Sequence, residues 1–243
     1  MRRIIALALI GASPLVVAAI ARGDEPRVQE VSLQDVEQPG SRFYLAGITG
    51  SSFATLTATD SPSATGPLFT SGGAAGLTFE MLDRAWRLEV EGRARDPIVG
   101  TSVSDSDASA STLSGSGGWS TTVNLWRDYD VTERLTAYVG GGIGGGGYQF
   151  SVNQEYPVQD VTVTGVSTVG GFAWQAGGGL AFAVTDRITL DLGYRFFELA
   201  SGSVTAQVSQ SGLLFGTTSF NPGFSASELF FAIRIYEPFR RWR

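Results

Sequence analysis

The chain has 243 residues, with 17 basic and 23 acidic side chains and a formal net charge of −6, and it contains no histidine and no cysteine. The sequence also has no lysine, so every basic side chain is an arginine. These absences exclude disulfides, thiolate and imidazole metal sites, Ser-His and Cys-His catalysis and the phosphate-loop lysine. Nucleic acid is not expected as a partner, because phosphate binding requires clustered positive charge.

The N-terminus has the pattern of an export signal. Arg2 and Arg3 precede an apolar stretch over residues 4–21, which ends in small residues at the spacing that a signal peptidase needs. The alternative is a transmembrane anchor, but the stretch is short and is interrupted by Gly11 and Pro14. We therefore predict a cleaved signal peptide over residues 1–21, followed by an acidic periplasmic linker over residues 22–40.

Beyond Ser41 the sequence alternates short apolar segments with Gly, Ser, Thr and Asp, which is typical of strands and turns. We predict eight strands, at residues 42–56, 72–81, 86–96, 118–129, 135–150, 171–184, 188–199 and 227–239. Three similar polar turns recur about fifty residues apart, at 82–85, 131–135 and 184–188. Four longer polar segments, at 57–71, 97–117, 151–170 and 200–225, alternate with these turns.

Short turns at one end and long loops at the other are characteristic of outer-membrane barrels. The predicted fold is therefore all-β, an eight-stranded antiparallel up-and-down transmembrane β-barrel over residues 41–243. Residues 158–166 and 204–208 also alternate, so some strands are expected to continue beyond the bilayer as a rim.

The third predicted strand has one apolar and one charged face. Trp86, Leu88 and Val90 alternate with charged residues, and an arginine on the lipid side costs roughly 2 to 4 kcal/mol at the bilayer midplane, so the charged face is expected to line the lumen. Because an eight-stranded barrel is just wide enough to be filled by side chains, we predict an ion-pair network that plugs it. Its predicted members are Glu80, Arg87, Glu89, Glu91, Arg93, Arg95, Asp191, Arg195, Glu228 and Arg234.

Alternation also fits a soluble β-sandwich or a lipocalin-like barrel. Three features favour the membrane barrel: the export signal, opposite charges interleaved on one face, and aromatic residues near strand ends. These aromatic residues are Phe43, Trp86, Trp119, Trp126, Trp174 and Phe239.

Two stretches resemble the OmpA-like and Omp25-like outer-membrane β-barrel domains. They are residues 124–129 (NLWRDY) with 131–144 (VTERLTAYVGGGIG), and residues 174–182 (WQAGGGLAF) continuing to 191–196 (DLGYRF). The resemblance implies a small barrel in the outer membrane of a diderm bacterium, with outer-membrane lipids and the barrel assembly machinery as partners. Family barrels usually finish on an aromatic residue, whereas Phe239 is followed here by RRWR.

The sequence predicts no catalytic, cofactor or metal site. The glycine run at 140–147 has no following helix and no lysine, so it is interpreted as strand glycine that leaves lumen space for bulky neighbours. Asp105 and Asp107 lack the other ligands of a calcium loop.

Three functions are considered. The leading hypothesis is a non-enzymatic surface protein with a structural, adhesive or antigenic role, which meets extracellular partners through its loops. The alternative is a narrow pore or transporter for small solutes or apolar molecules. A lipid-modifying barrel enzyme is disfavoured, because known designs of this kind rely on histidine.

Overall fold

The computed structural model describes residues 41–58, 63–82, 84–104, 109–200 and 202–239. The strands in these ranges are β1 (Arg42–Thr57), β2 (Ala64–Glu80), β3 (Ala85–Arg95), β4 (Ile98–Ser104), β5 (Ser109–Asp130), β6 (Leu135–Tyr156), β7 (Val161–Ala183), β8 (Ile188–Leu199), β9 (Val204–Gln210), β10 (Leu213–Phe220) and β11 (Gly223–Tyr236). Within this part of the chain, no helix is long and apolar enough to cross a membrane. The predicted signal peptide, the linker, Asp105, Asp107 and residues 240–243 lie outside the described residues.

Eight of the strands close into a ring in the order β1-β2-β3-β5-β6-β7-β8-β11, and every neighbouring pair is antiparallel. Closure occurs at β1, where Tyr44 lies opposite Gly76 of β2 on one side and opposite Tyr236 of β11 on the other. The predicted eight-stranded antiparallel barrel is therefore confirmed.

The three predicted turns all lie at one end of the barrel, which we call the turn end. In two of them a threonine hydroxyl closes the turn: Thr132 Oγ1 accepts the Leu135 N–H at 3.1 Å, and Thr185 Oγ1 accepts the Ile188 N–H at 3.0 Å. A threonine side chain that bonds nearby backbone in this way favours a turn over a continued strand. The repeated Val-Thr motif is thus turn chemistry, and the opposite end of the barrel is the loop end.

Several strands extend much further toward the loop end than the sequence predicts. β5, β6 and β7 have 22, 22 and 23 residues, about twice the 9–11 that a membrane strand needs. The four predicted long loops are therefore partly wrong, because β4, β9 and β10 also fall inside them. The serine, threonine and valine residues of these segments lie in paired strands that form a rim at the loop end. The rim was predicted for 204–208 and for 158–166, and in the second range it begins at Val161.

The barrel exterior is apolar along the wall. The outward residues are Leu45, Phe53, Phe69, Leu77, Leu88, Val90, Trp119, Val123, Leu125, Val139, Ile143, Phe172, Trp174, Leu180, Leu192, Tyr194, Leu229, Phe231 and Ile233. Arg127 is an outward charge, but it lies near the turn end, with its guanidinium 4.8 Å from the Tyr129 ring centroid and 5.7 Å from that of Trp86. An apolar belt of this extent is unsuited to water and suited to hydrocarbon.

Candidate functional site

The barrel interior is the candidate functional site, because it gathers charged side chains that are buried. β3 alternates a small or apolar residue outward with a charged residue inward, so one strand sends five charges into the lumen. β8 and β11 add charged residues from the opposite wall. The buried charged residues of these three strands are Arg87, Glu89, Glu91, Arg93, Arg95, Asp191, Arg195, Glu228 and Arg234.

Five of them form one glutamate–arginine cluster, made of Glu91, Arg93, Arg95, Arg195 and Glu228. Arg195 Nη1 lies 2.7 Å from Glu91 Oε1, and Arg195 Nε lies 3.1 Å from Glu228 Oε2. Arg93 bridges the same two carboxylates, at 2.8 Å to Glu91 and 3.3 Å to Glu228. Arg95 completes the cluster with a contact of 3.0 Å to Glu228. Every carboxylate in the cluster therefore has at least two arginine partners.

Two separate ion pairs lie nearer the turn end. Arg87 Nε donates to Asp128 Oδ1 at 2.9 Å, and the Arg87 guanidinium lies 4.5 Å from the Tyr138 ring centroid. Arg234 Nε donates to Asp191 Oδ2 at 2.8 Å, and a second nitrogen of Arg234 contacts Asp191 Oδ1. These pairs join β3 to β5 and β11 to β8.

Glu89 occupies the interior without an arginine partner, so its predicted role as an ion-pair member is wrong. Its carboxylate accepts hydrogen bonds from the Tyr44 hydroxyl at 2.8 Å, from Asn124 Nδ2 at 3.2 Å and from Trp126 Nε1 at 3.3 Å. Among the described residues, no arginine forms an ion pair with Glu89. Neutral donors therefore solvate this buried charge.

The prediction for Glu80 also needs correction. Glu80 is exposed at the end of β2 and lies apart from the buried network, because β2 reaches solvent at the turn end there. Trp126, one of the aromatic residues near strand ends that favoured the membrane barrel, is buried inside it, where its ring packs edge-on against Tyr138 at 5.7 Å.

Several polar residues of the interior were not predicted from the sequence. Asn124 and Asp128 are contributed by β5, and Gln175 is contributed by β7. Gln175 Nε2 donates to Asn124 Oδ1 at 2.7 Å, and Arg195 Nη1 donates to Gln175 Oε1 at 2.9 Å. The alternation of Asn124, Trp126 and Asp128 with Val123, Leu125 and Arg127 was the available signal.

Toward the loop end the interior becomes apolar. The buried members of this apolar layer are Ala54, Leu56, Ala64, Leu68, Ile98, Leu113, Tyr148, Phe150, Val152, Val163, Val169, Ala173, Phe197, Leu199, Val204, Ala206, Phe220 and Ala226. The boundary between the two regions is marked by Arg95, whose guanidinium lies 3.9 Å from the Phe197 ring centroid. Such a cation–π contact stabilises a charge against an apolar surface.

Little free space remains among these side chains. The cavity bordered by Glu89, Trp126 and Arg234 has a volume of about 20 Å³, and the one bordered by Arg95, Tyr148 and Phe197 also has about 20 Å³. Each is room for about one water. Within the described ranges, no group of three or more acidic side chains is arranged to hold a metal ion.

A closed antiparallel wall with an apolar exterior and a charged interior defines a membrane-spanning β-barrel. The chain belongs to the family described as the outer membrane protein beta-barrel domain, whose model matches residues 5–225. This result confirms the resemblance to OmpA-like barrels that the sequence indicated.

The chain is similar to several solved structures, all of them distant in sequence. Neisserial surface protein A is 16% identical with a TM-score of 0.42, over 81% of this chain and 98% of that chain. Ail, the attachment invasion locus protein of Yersinia pestis, solved with the heparin analogue sucrose octasulfate, is 12% identical with a TM-score of 0.38, over 80% and 99%. The outer membrane protease OmpT of Escherichia coli is 8% identical with a TM-score of 0.32, over 82% and 97%. No curated protein matches the chain.

Proposed function

We propose that the chain is a non-enzymatic outer-membrane barrel whose interior is plugged, and that it serves a structural, adhesive or surface-antigen role through its loop end. The observation that carries this proposal is the balance of positive and negative charge in the interior. The interior charges are Arg87, Arg93, Arg95, Arg195 and Arg234 against Glu89, Glu91, Asp128, Asp191 and Glu228. Five positive and five negative charges balance, so the interior has no net charge to attract a permeant ion.

Packing supports a plug over the alternative of a narrow pore. An ion crossing the barrel would have to break the cluster of Arg195 and Glu228 and then traverse the apolar layer, where Leu113 and Phe150 are fully buried. Both steps are costly, because a buried pair that loses a partner leaves an uncompensated charge and an apolar layer offers no replacement for hydration.

The composition supports a non-enzymatic role. Catalysis by an activated nucleophile needs a base beside it, and the chain has no histidine, cysteine or lysine to act in that way. Its buried carboxylates Glu91 and Glu228 are each engaged in ion pairs with arginines.

Barrels of this class place short turns in the periplasm and longer loops outside the cell. The same orientation for this chain puts β9 and β10 outside and the turns containing Thr132 and Thr185 in the periplasm. Cleavage of residues 1–21 and insertion by the barrel assembly machinery, with outer-membrane lipids around the wall, belong to the same proposal.

Single-channel recording in planar bilayers tests the plug. The unaltered protein is expected to give a silent bilayer once insertion has been verified by its heat-dependent gel mobility. Sustained and reproducible open levels would overturn the plug and favour the pore.

Cysteine labelling tests the orientation, because the chain has no cysteine of its own. Gln207→Cys on β9 is expected to react with a membrane-impermeant maleimide on intact cells. The matched variant Glu133→Cys in an exposed turn is expected to react only after the outer membrane is permeabilised. The reverse pattern would invert the barrel and contradict the surface role.

A further inference from the structure

The hairpin of β9 and β10 is an unusual part of the loop end, because it is uncharged. Residues 200–226 contain no Asp, Glu or Arg. The hairpin joins the rim where Val161 of β7 pairs with Gln210, and the Ser211 N–H donates to the Asp160 carbonyl at 3.0 Å. The hairpin is therefore an ordered extension of the rim.

β10 has one free edge. It pairs with β9 on one side, and no strand of the described residues pairs with it on the other. Native edge strands are usually protected by charges, proline or a bulge. β10 has neither a charge nor a proline between Leu213 and Phe220, and its bulge between Leu214 and Gly216 leaves the rest of the edge regular.

The tip of this hairpin exposes three consecutive apolar side chains. Leu213, Leu214 and Phe215 are 75%, 66% and 76% exposed. Clustered exposed apolar residues mark an interaction site. The open edge and the apolar tip lie on the same strand, so one partner would cover both.

The chemistry of the strand restricts that partner. A lipid bilayer would bury the apolar tip, but it would leave the unpaired N–H and C=O groups of the β10 edge without hydrogen bonds. A cationic partner would be drawn instead to the acidic residues Asp96, Glu155 and Asp160. The edge therefore suits another uncharged strand with an open edge, and β10 of a second copy is such a strand.

The direction of β10 decides how two copies would meet. β10 runs from the tip at Leu213 back toward the barrel at Phe220. In two copies that face each other from apposed membranes, the β10 strands run in opposite directions and pair antiparallel. In two copies related by a two-fold axis within one membrane they would run parallel, and antiparallel pairs are two to three times more common.

We propose that β10 mediates adhesion between copies of this chain in two facing membranes. The free edges of their β10 strands pair with each other in antiparallel orientation. This inference rests on the proposed function, because it needs the loop end outside the cell. An edge of eight residues is about 27 Å long and buries less than a standard interface. A single contact is therefore weak, and adhesion is expected only where many copies act together between two membranes.

Clustering of vesicles tests the proposal. The full chain is reconstituted into two populations of lipid vesicles, one with a donor dye and one with an acceptor dye. A parallel sample of Gln207→Cys, prepared in the same way, must react with external maleimide, which verifies that the loop end faces outward. Vesicles with the unaltered protein are expected to cluster and to give energy transfer. Thr217→Lys, which adds an edge lysine at an exposed position of β10, is expected to abolish the transfer, even when only one population carries it.

The matched control is Gln207→Lys. Gln207 lies directly opposite Thr217 and is also exposed, but β9 is paired there on both sides, with Thr217 and with Thr164. This variant adds the same charge without touching the free edge, so its clustering is expected to persist. Heat-dependent mobility on gels verifies that both variants fold.

Three outcomes would overturn the proposal: no clustering of the unaltered protein, equal losses in Thr217→Lys and Gln207→Lys, or clustering with protein-free vesicles. The last outcome would identify lipid as the partner. None of these outcomes affects the plug or the orientation, which conductance and intact-cell labelling test separately.

Discussion

Arg195 of β8 and Glu228 of β11 lie directly opposite each other in the barrel wall, and their side chains meet inside it with Nε 3.1 Å from Oε2. The same carboxylate also contacts Arg93 and Arg95 of β3, at 3.3 and 3.0 Å. Glu228 thus connects two neighbouring strands to a third one across the lumen. This junction joins three strands on the turn-end side of the apolar layer.

Glu228→Gln is expected to destabilise the barrel, because it removes the charge shared by three arginines. Breaking a buried pair costs on the order of 3 to 5 kcal/mol, and water in the lumen would reduce that value. Glu80→Gln is the matched control, since Glu80 is exposed at the turn end and is expected to change stability little. Urea unfolding from lipid bilayers measures both, and equal effects would show that the interior charge is merely solvated.

Val90→Arg tests the outer face of the same strand. Val90 is exposed on the apolar exterior, so the new arginine would enter hydrocarbon and cost roughly 2 to 4 kcal/mol near the midplane. Arg93→Leu is expected to destabilise the barrel for a different reason, because Glu91 and Glu228 each lose one of their arginine partners. Adding Glu228→Gln should cost less stability in the Arg93→Leu background, where one of its ion pairs is already lost, than in the Val90→Arg background. Equal costs in the two backgrounds would contradict the assignment of the two faces.

Gly193→Val tests how closely the interior is packed. A Cβ at Gly193 would overlap the Phe230 ring and lie 2.8 Å from the Tyr138 hydroxyl, so overpacking is expected to cost about 1 to 3 kcal/mol. Gly47→Val is the control, because a Cβ at Gly47 meets no atom within 4 Å and valine favours strands. Both are compared by unfolding in urea. A harmless Gly193→Val would indicate a lumen with free space.

A closed barrel leaves no unpaired edge in its wall, and it therefore resists unfolding by detergent. The purified protein is expected to migrate faster on SDS gels before boiling than after it. Identical mobility in the two samples would argue against closure between β1 and β11.

Much of the fold could be predicted because the wall follows a strict period of two. The seventh predicted strand, 188–199, coincides with β8, since its apolar residues alternate with polar residues or glycine from Ile188 to Phe196 after a Val-Thr turn. The strand ends at the loop end could not be predicted in the same way. Residues such as Ser109, Thr112 and Ser114 on β5 suit either a loop or a solvated strand, and only pairing with β4 and β6 decides between them.

The sequence predicts which residues face the interior better than it predicts the contacts between them. Alternation indicates that Glu89 and Glu91 face inward, but it does not indicate that Tyr44 hydrogen-bonds one and Arg195 the other. Those contacts depend on register between strands far apart in sequence. The apolar layer was missed for a related reason, because Leu113 and Val152 come from segments rich in Ser, Thr and Gly that were interpreted as loops.

The most direct test of the plugged barrel is a double-mutant cycle on Arg195 and Glu228. Arg195→Met, Glu228→Gln and their combination are unfolded in urea from lipid bilayers, with Arg195→Met combined with Glu80→Gln as the control pair. A buried pair predicts that the first double mutant loses less stability than the sum of its single mutants, with a coupling of about 0.5 to 3 kcal/mol, while the control pair is additive. Additive losses in both pairs would contradict the ion-pair network and with it the plug.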